Sequence, residues 1–141
     1  MELTDWPRRN HVNAEGRLDV PIVLNHTIVP SHDKAGSAAF FARIMGLEAP
    51  STVDPFVQVR VNEDLALDYD DRDGFDSHHL AFVVSDQEFD AILARLQAER
   101  VSYGSGPFSA ADERINTRRG GRGLYFSDPD GHLMEIMTVP E

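Results

Sequence analysis

Two histidines and one glutamate in this sequence are of a type, and in a setting, that could hold a divalent metal. His26 lies in the run PIVLNHTIV (21–29), His79 in HHLAFVV (78–84) and Glu135 near the C-terminus in HLMEIMTV (132–139). Each run reads as a β-strand: short, apolar and rich in branched residues. Strand side chains alternate between faces, so His26 shares a face with Ile22, Leu24 and Ile28. By the same rule His79 goes with Ala81 and Val83, and Glu135 with Leu133 and Met137. A carboxylate set among apolar neighbours is unfavourable unless it is paired or holds a cation. Two imidazoles and a carboxylate suit Fe(II), Mn(II), Ni(II), Co(II) or Zn(II). One divalent metal of open identity is therefore a candidate cofactor. The plain alternative is a pair of hydrogen-bonded strand histidines and a solvated glutamate.

Three further features bear on chemistry. Tyr125 precedes Glu135 by ten residues, one strand over and across a turn. There it could donate a hydrogen bond to a substrate oxygen or take its proton; otherwise it is a core tyrosine. Asp68 lies mid-strand and is either an acid/base or supporting group, or a solvated strand residue. The stretch 104–123 is glycine-rich and aperiodic, as binding loops often are. It carries Arg114, Arg118, Arg119 and Arg122 against Asp112 and Glu113. A positive patch on a chain of net charge -11 suits an anionic small molecule. The competing reading is a solvated or intersubunit loop.

The elements that must position these groups follow a plan stated twice. The strand 21–29 is bounded by Pro21 and Pro30. A helix follows, capped by Ser31 or Asp33 and closed by Gly46 after Met45. Its Phe41, Ala42 and Met45 share a face, extended by Phe40 and Ile44. The runs 56–61 and 65–70 alternate with period two around a turn at 62–64, as hairpin strands do. A further short strand is expected at 51–53. A polar linker at 70–77 closes this half. The second half opens on the strand 78–84. Ser85 and Glu88 form a capping box, and Phe89, Ile92, Leu93 and Leu96 recur at helical spacing. A strand begins near 101–104. The hairpin 123–139 turns at Asp128-Pro129-Asp130-Gly131. His26 and His79 occupy matching places in the two halves, which repeat in pattern more than in identity.

The 141 residues fit a single domain, here 21–141 with modules at about 22–71 and 77–139 behind a polar arm, 1–20. Without cysteine there is no disulfide, thiolate nucleophile or cysteine zinc site. The acidic balance argues against nucleic acid and anionic membranes as partners. No apolar run reaches the ~20 residues of a membrane helix, and the N-terminus lacks a signal-peptide core. The expectation is a soluble, cytoplasmic protein.

Together, LNHTIV before a helix with FFARIMGL, HHLAFVV before a capped helix, and the terminal YFSDPDGHLMEIMT resemble the vicinal oxygen chelate superfamily. That superfamily includes glyoxalase I, fosfomycin- and bleomycin-resistance proteins and extradiol dioxygenases. The resemblance covers about residues 23–138 and is most specific in YFSDPDGHLMEI. It implies an α+β fold of two βαβββ modules, forming a curved mixed-sheet cup with helices outside. It also implies a metal held by His26, His79 and Glu135, with His79 preferred over the adjacent His78. Several metal-using members carry a tyrosine matching Tyr125. The fourth acidic ligand of glyoxalase I would fall at Ala66, which weakens that reading. The lysine and serines of the fosfomycin-resistance enzymes' last loop are replaced by arginines. Bleomycin-binding members lack the triad. Extradiol dioxygenases share it, although no match to their acid/base histidine is found here.

The resulting expectation is a small metal-dependent enzyme with dioxygenase-like or lyase/isomerase-like chemistry. Substrate oxygens would be chelated at His26, His79 and Glu135, with Tyr125 moving protons and Asp68, Arg118, Arg119 and Arg122 binding substrate. The alternatives are a metal-free binding or resistance protein, and a thiol transferase of the fosfomycin-resistance kind. The resemblance further implies a homodimer.

Overall fold

The computed structural model of the chain describes Glu15 and residues 22–141. Apart from Glu15, the expected arm and Pro21 lie outside the described residues. The elements run β1 (His26–Ser31), α1 (Lys34–Met45), β2 (Ser51–Val53), β3 (Phe56–Arg60) and β4 (Ala66–Asp71). The plan then repeats as β5 (His79–Val83), α2 (Asp86–Ala98), β6 (Tyr103–Gly104), β7 (Gly123–Ser127) and β8 (Leu133–Met137). The strands form two four-stranded sheets, β1-β4-β3-β2 and β5-β8-β7-β6. In each the first and last strands of the module are parallel neighbours and the other pairs are antiparallel. This is the expected α+β fold of two βαβββ modules.

Local signals account for most of the boundaries. Asp33 caps α1 by accepting from the Gly36 amide at 3.1 Å, and Gly46 ends the helix with φ 72°. The Ser85–Glu88 capping box opens α2. Asn62 closes the β3–β4 turn by accepting from the amides of Asp64 and Leu65, both at 2.8 Å. The first strand departs from expectation: it starts at His26 and runs through Pro30 to Ser31. β1 lies at the edge of its sheet, where a missing N–H is tolerated.

One hydrophobic core serves both modules. Val29, Phe41, Leu67 and Tyr69 from the first join Phe89, Leu96, Leu124, Phe126, Met134 and Ile136 from the second. The Phe41 ring stands 5.6 Å from Phe82 of β5, and Phe40 stands 6.4 Å from Phe126 of β7. Helix α1 thus packs on its own sheet and reaches the inner side of the other.

The β7–β8 turn fastens the modules together. Asp130 accepts from the His32 amide at 2.8 Å and the Ser37 hydroxyl at 2.7 Å. His132 is fully buried. Its Nδ1 accepts from the His78 amide at 2.8 Å, so Nε2 carries the proton and donates it to the Pro30 carbonyl at 2.6 Å. Burial and the carboxylates of Asp128 and Asp130 push the Tyr69 phenol well up, leaving it protonated beside this turn.

Replacing His132 by alanine strands a part-buried donor, the His78 amide, and a buried acceptor, the Pro30 carbonyl, each worth about 1–3 kcal/mol. Denaturant unfolding should show His132→Ala less stable by about 2–4 kcal/mol; an unchanged midpoint would remove the fastening role.

Candidate metal centre

The site face of the second sheet is built by register. His79 pairs with Leu133 and Ala81 with Glu135 across β5 and β8, and Tyr125 lies opposite Glu135 across β7 and β8. His79, Glu135 and Tyr125 therefore share the face turned away from the core residues Leu124, Phe126, Met134 and Ile136. Glu135 is buried, while His79 is half exposed.

Hydrogen bonding fixes the donor set. His79 Nδ1 lies 3.0 Å from the Leu133 carbonyl. His79 Nε2 lies 3.1 Å from Glu135 Oε1. A carbonyl and an ionised carboxylate both only accept, so the ring faces two acceptors, while neutral imidazole carries a single proton for them. The arrangement is then short of one cation, which a second proton or a metal ion would supply. Two donors bound to one ion at about 2.0–2.1 Å, with 90–110° between them, stand roughly 2.9–3.4 Å apart. The observed separation fits.

Tyr125 and Arg118 extend the cluster. The rings of His79 and Tyr125 stack with centroids 6.0 Å apart and 15° between planes. Arg118 Nη1 donates to the Tyr125 hydroxyl at 2.8 Å, and its guanidinium lies 5.6 Å from the ring centroid. Burial, followed by the hydrogen bond and charge of Glu135, raises the Tyr125 phenol above its ordinary range, and Arg118 opposes the shift. The phenol therefore keeps its proton at neutral pH. Arg118 sits on a 3-10 turn, Arg118–Gly120. The preceding Asn116 pairs with Gly123 by two backbone bonds of 2.8 and 3.0 Å. A Cβ on Gly123 would meet the Asn116 side chain at 2.8 Å, so a larger residue there would displace that side chain.

The other sequence candidates lie elsewhere. Arg119 is exposed, with φ 55°, and lines the shallow cleft beside Glu135 with Asn116, Arg118 and Met137. Arg122 lines the far side of that cleft, but its guanidinium is engaged by Asp86 at 3.0 Å and Asp90 at 2.7 Å and stacks over Phe89. It pins β7 to α2. Asp68 is buried on the first sheet and accepts from Gln58 Nε2 at 2.8 Å. His78 is exposed, and its ring lies 5.0 Å from that of His132.

His26 does not meet the other two proposed ligands. It is exposed, with Nδ1 2.9 Å from Asn25 Oδ1. Among the described residues, the only three metal-binding side chains with ligand atoms within 4.8 Å of one another are Asp128, Asp130 and His132. In that set both His132 nitrogens are already engaged with backbone.

The register also corrects the Ala66 expectation. His26 pairs with Ala66 and Ile28 with Asp68, as His79 pairs with Leu133 and Ala81 with Glu135. The acid position equivalent to Glu135 is therefore Asp68, two residues further along. Sequence reading also missed the Leu133 carbonyl and the Arg118–Tyr125 contact. No spacing signal announces either, since both depend on which strand lies beside which.

Comparison with known proteins agrees with this architecture. Two solved structures, Oxidase ChaP-H1 and Oxidase ChaP-H2, are each 44% identical to the chain. The first covers 85% of this chain and 98% of its own with a TM-score of 0.81, the second 84% and 94% with 0.80. Metallothiol transferase FosB of Shouchella clausii (strain KSM-K16) is 33% identical over 60 residues, which is 43% of this chain. The match spans only 37% of that relative's length. The family model described as Glyoxalase/Bleomycin resistance protein/Dioxygenase superfamily matches residues 23–136. With the twice-repeated βαβββ plan, this means that the chain belongs to the glyoxalase/bleomycin resistance protein/dioxygenase superfamily.

Proposed function

We propose that the chain is a divalent-metal-dependent enzyme acting on a small, oxygen-bearing, anionic substrate, with oxidation as its chemistry. The observation that carries this reading is the His79–Glu135 pair. Its Nδ1 lies 3.0 Å from the Leu133 carbonyl and its Nε2 3.1 Å from the buried Glu135 carboxylate, two acceptors for a ring that carries one proton when neutral. His79 and Glu135 would hold the ion; the chain's own His26, which does not meet them, would join only from a second copy in the homodimer that the resemblance implies. When bound, the ion supplies a Lewis acid for substrate oxygens and, if iron or manganese, a centre for dioxygen chemistry.

The chain's own residues do the rest. Tyr125 presents a protonated phenol beside Glu135 and can give that proton to a developing oxyanion on substrate. Arg118 fixes the hydroxyl from the opposite side, and with Arg119 it offers positive charge to a carboxylate or phenolate in the cleft. The two 44%-identical structures are named as oxidases, which favours oxidation over lyase or isomerase chemistry. The thiol-transferase reading rests on the FosB match. Against it, Lys34, the only lysine of the chain, donates to the Pro55 carbonyl at 2.6 Å, away from the site.

Protein purified without a histidine tag should carry about one equivalent of metal by elemental analysis, and Glu135→Ala should lose it. A wild-type chain that neither carries metal nor takes it up on titration would sink the metalloenzyme reading in favour of a binding protein. Tyr125→Phe should keep the metal yet slow oxygen consumption by about 100-fold or more on a panel of phenolic and carboxylic substrates. Undiminished turnover would take proton transfer away from Tyr125.

A further inference from the structure

A second concave surface adjoins the His79–Tyr125–Glu135 cluster on the same sheet face. Cross-strand partners share a face, so Gly104 of β6 looks out beside Tyr125, and Ser127, Leu133 and His79 form the next row. The chain then folds back over this face. A Cβ on Gly104 would collide with the Ser109 carbonyl and meet the backbone of Ala110 and Ala111 at 2.7 Å, so glycine at 104 is what admits residues 109–111 there. Between them, Gly106-Pro107-Phe108-Ser109 makes a tight turn, closed by the Ser109 amide donating to the Gly106 carbonyl at 3.0 Å. The base of the turn is pinned. Asp112 accepts from the Ser105 and Arg114 amides, both at 3.0 Å, and the Asn116 side chain donates to the Ser105 carbonyl at 3.1 Å. Gly106 also lies beside Arg118, whose Nη2 a Cβ there would meet at 3.7 Å. The turn therefore holds Phe108, fully exposed at its tip, next to the arginine that grips Tyr125.

We propose that the groove beneath this turn is an apolar subsite for the body of the substrate, with Phe108 as the residue that selects it. This rests on the small anionic substrate of the reading above and adds the character of its remaining part. The groove has a volume of about 340 Å³ and is lined by Pro107, Phe108, Ala110, Ala111, Ser102 and Ser127. None of the residues lining it is ionisable, the composition of a pocket for apolar groups. The arginine cleft lies at the other end of the cluster, toward Met137. From Met137 to Leu133 along β8 is a rise of about 13 Å, and Tyr125 and Glu135 stand between the two ends. A molecule that reaches both ends places an anionic group at Arg118 and Arg119, an extended apolar body against Phe108, and its middle over the cluster. Flat rings gain most from an exposed phenyl face. The ligand class is therefore an acid with an extended, ring-bearing apolar body.

The test measures, by calorimetry, the binding of benzoate, 2-naphthoate and pyrene-1-carboxylate to the full-length protein as purified, with its metal content determined alongside. Wild type is compared with Phe108→Ser and Ala111→Glu, both at exposed positions. Wild type should gain about tenfold or more in affinity from the one-ring to the four-ring acid. Both variants should lose that gain while keeping the benzoate affinity and the metal content of wild type. A gain that survives both substitutions, or no gain in wild type, would overturn the inference and leave the metalloenzyme reading standing. A gain that depends on Phe108 in protein that takes up no metal would keep the subsite and sink only the metalloenzyme reading. Sedimentation in which Phe108→Ser turns a dimer into a monomer would assign the turn to a second copy of the chain and overturn the inference as well.

Discussion

A strand sends successive side chains to opposite faces, and both sheets of this chain give one face to the same core. Most of the structure follows from that constraint. Phe41, Phe82, Phe126 and Ile136 fill the space between the modules, so the histidines and acids on alternate positions must lie on the outer faces. The candidate site residues sit outside because the apolar residues hold the inside. Burying one face of a sheet therefore selects which residues are free to act.

The two modules repeat a scaffold more faithfully than a site. The parallel pairs β1–β4 and β5–β8 give Asp68 and Glu135 equivalent places, yet their surroundings differ. Glu135 faces a histidine nitrogen and lies beside a tyrosine held by Arg118. Asp68 is satisfied by the Gln58 amide on its own sheet. Gln58 stands opposite Asp68 as Tyr125 stands opposite Glu135. The same backbone register thus carries a histidine–carboxylate–tyrosine cluster in one module and a carboxylate–amide pair in the other, distinguished by side-chain chemistry alone.

Electrostatics divides the arginines that the sequence groups together. The patch of four in 104–123 is a single feature in one dimension. In three dimensions Arg122 lies at the start of β7, beside the acidic first turn of α2, and is neutralised by Asp86 and Asp90. Arg118 lies over Tyr125 and is the one joined to the His79–Tyr125–Glu135 cluster. The distinction depends on a helix more than 20 residues upstream, so the local charge pattern carries no trace of it.

The sequence by itself determined the elements and their repetition. Period-two and period-3.6 patterns depend on near neighbours, and so do the Asp33 cap, the Ser85–Glu88 box and the Asp-Pro-Asp-Gly turn. It also determined that His26, His79 and Glu135 lie on strand faces, since alternation is a local property. Only the tertiary structure decided how those faces are disposed. The displacement of the first strand to His26–Ser31 depended on β1 being an edge. The move of the acid position from Ala66 to Asp68 depended on parallel pairing with β4. The partners of the His79 ring were settled by groups on a neighbouring strand, and the separation of His26 from His79 and Glu135 by a core shared between the modules. Each of these is fixed by contact between residues far apart in the chain, and such contacts leave no periodicity to read.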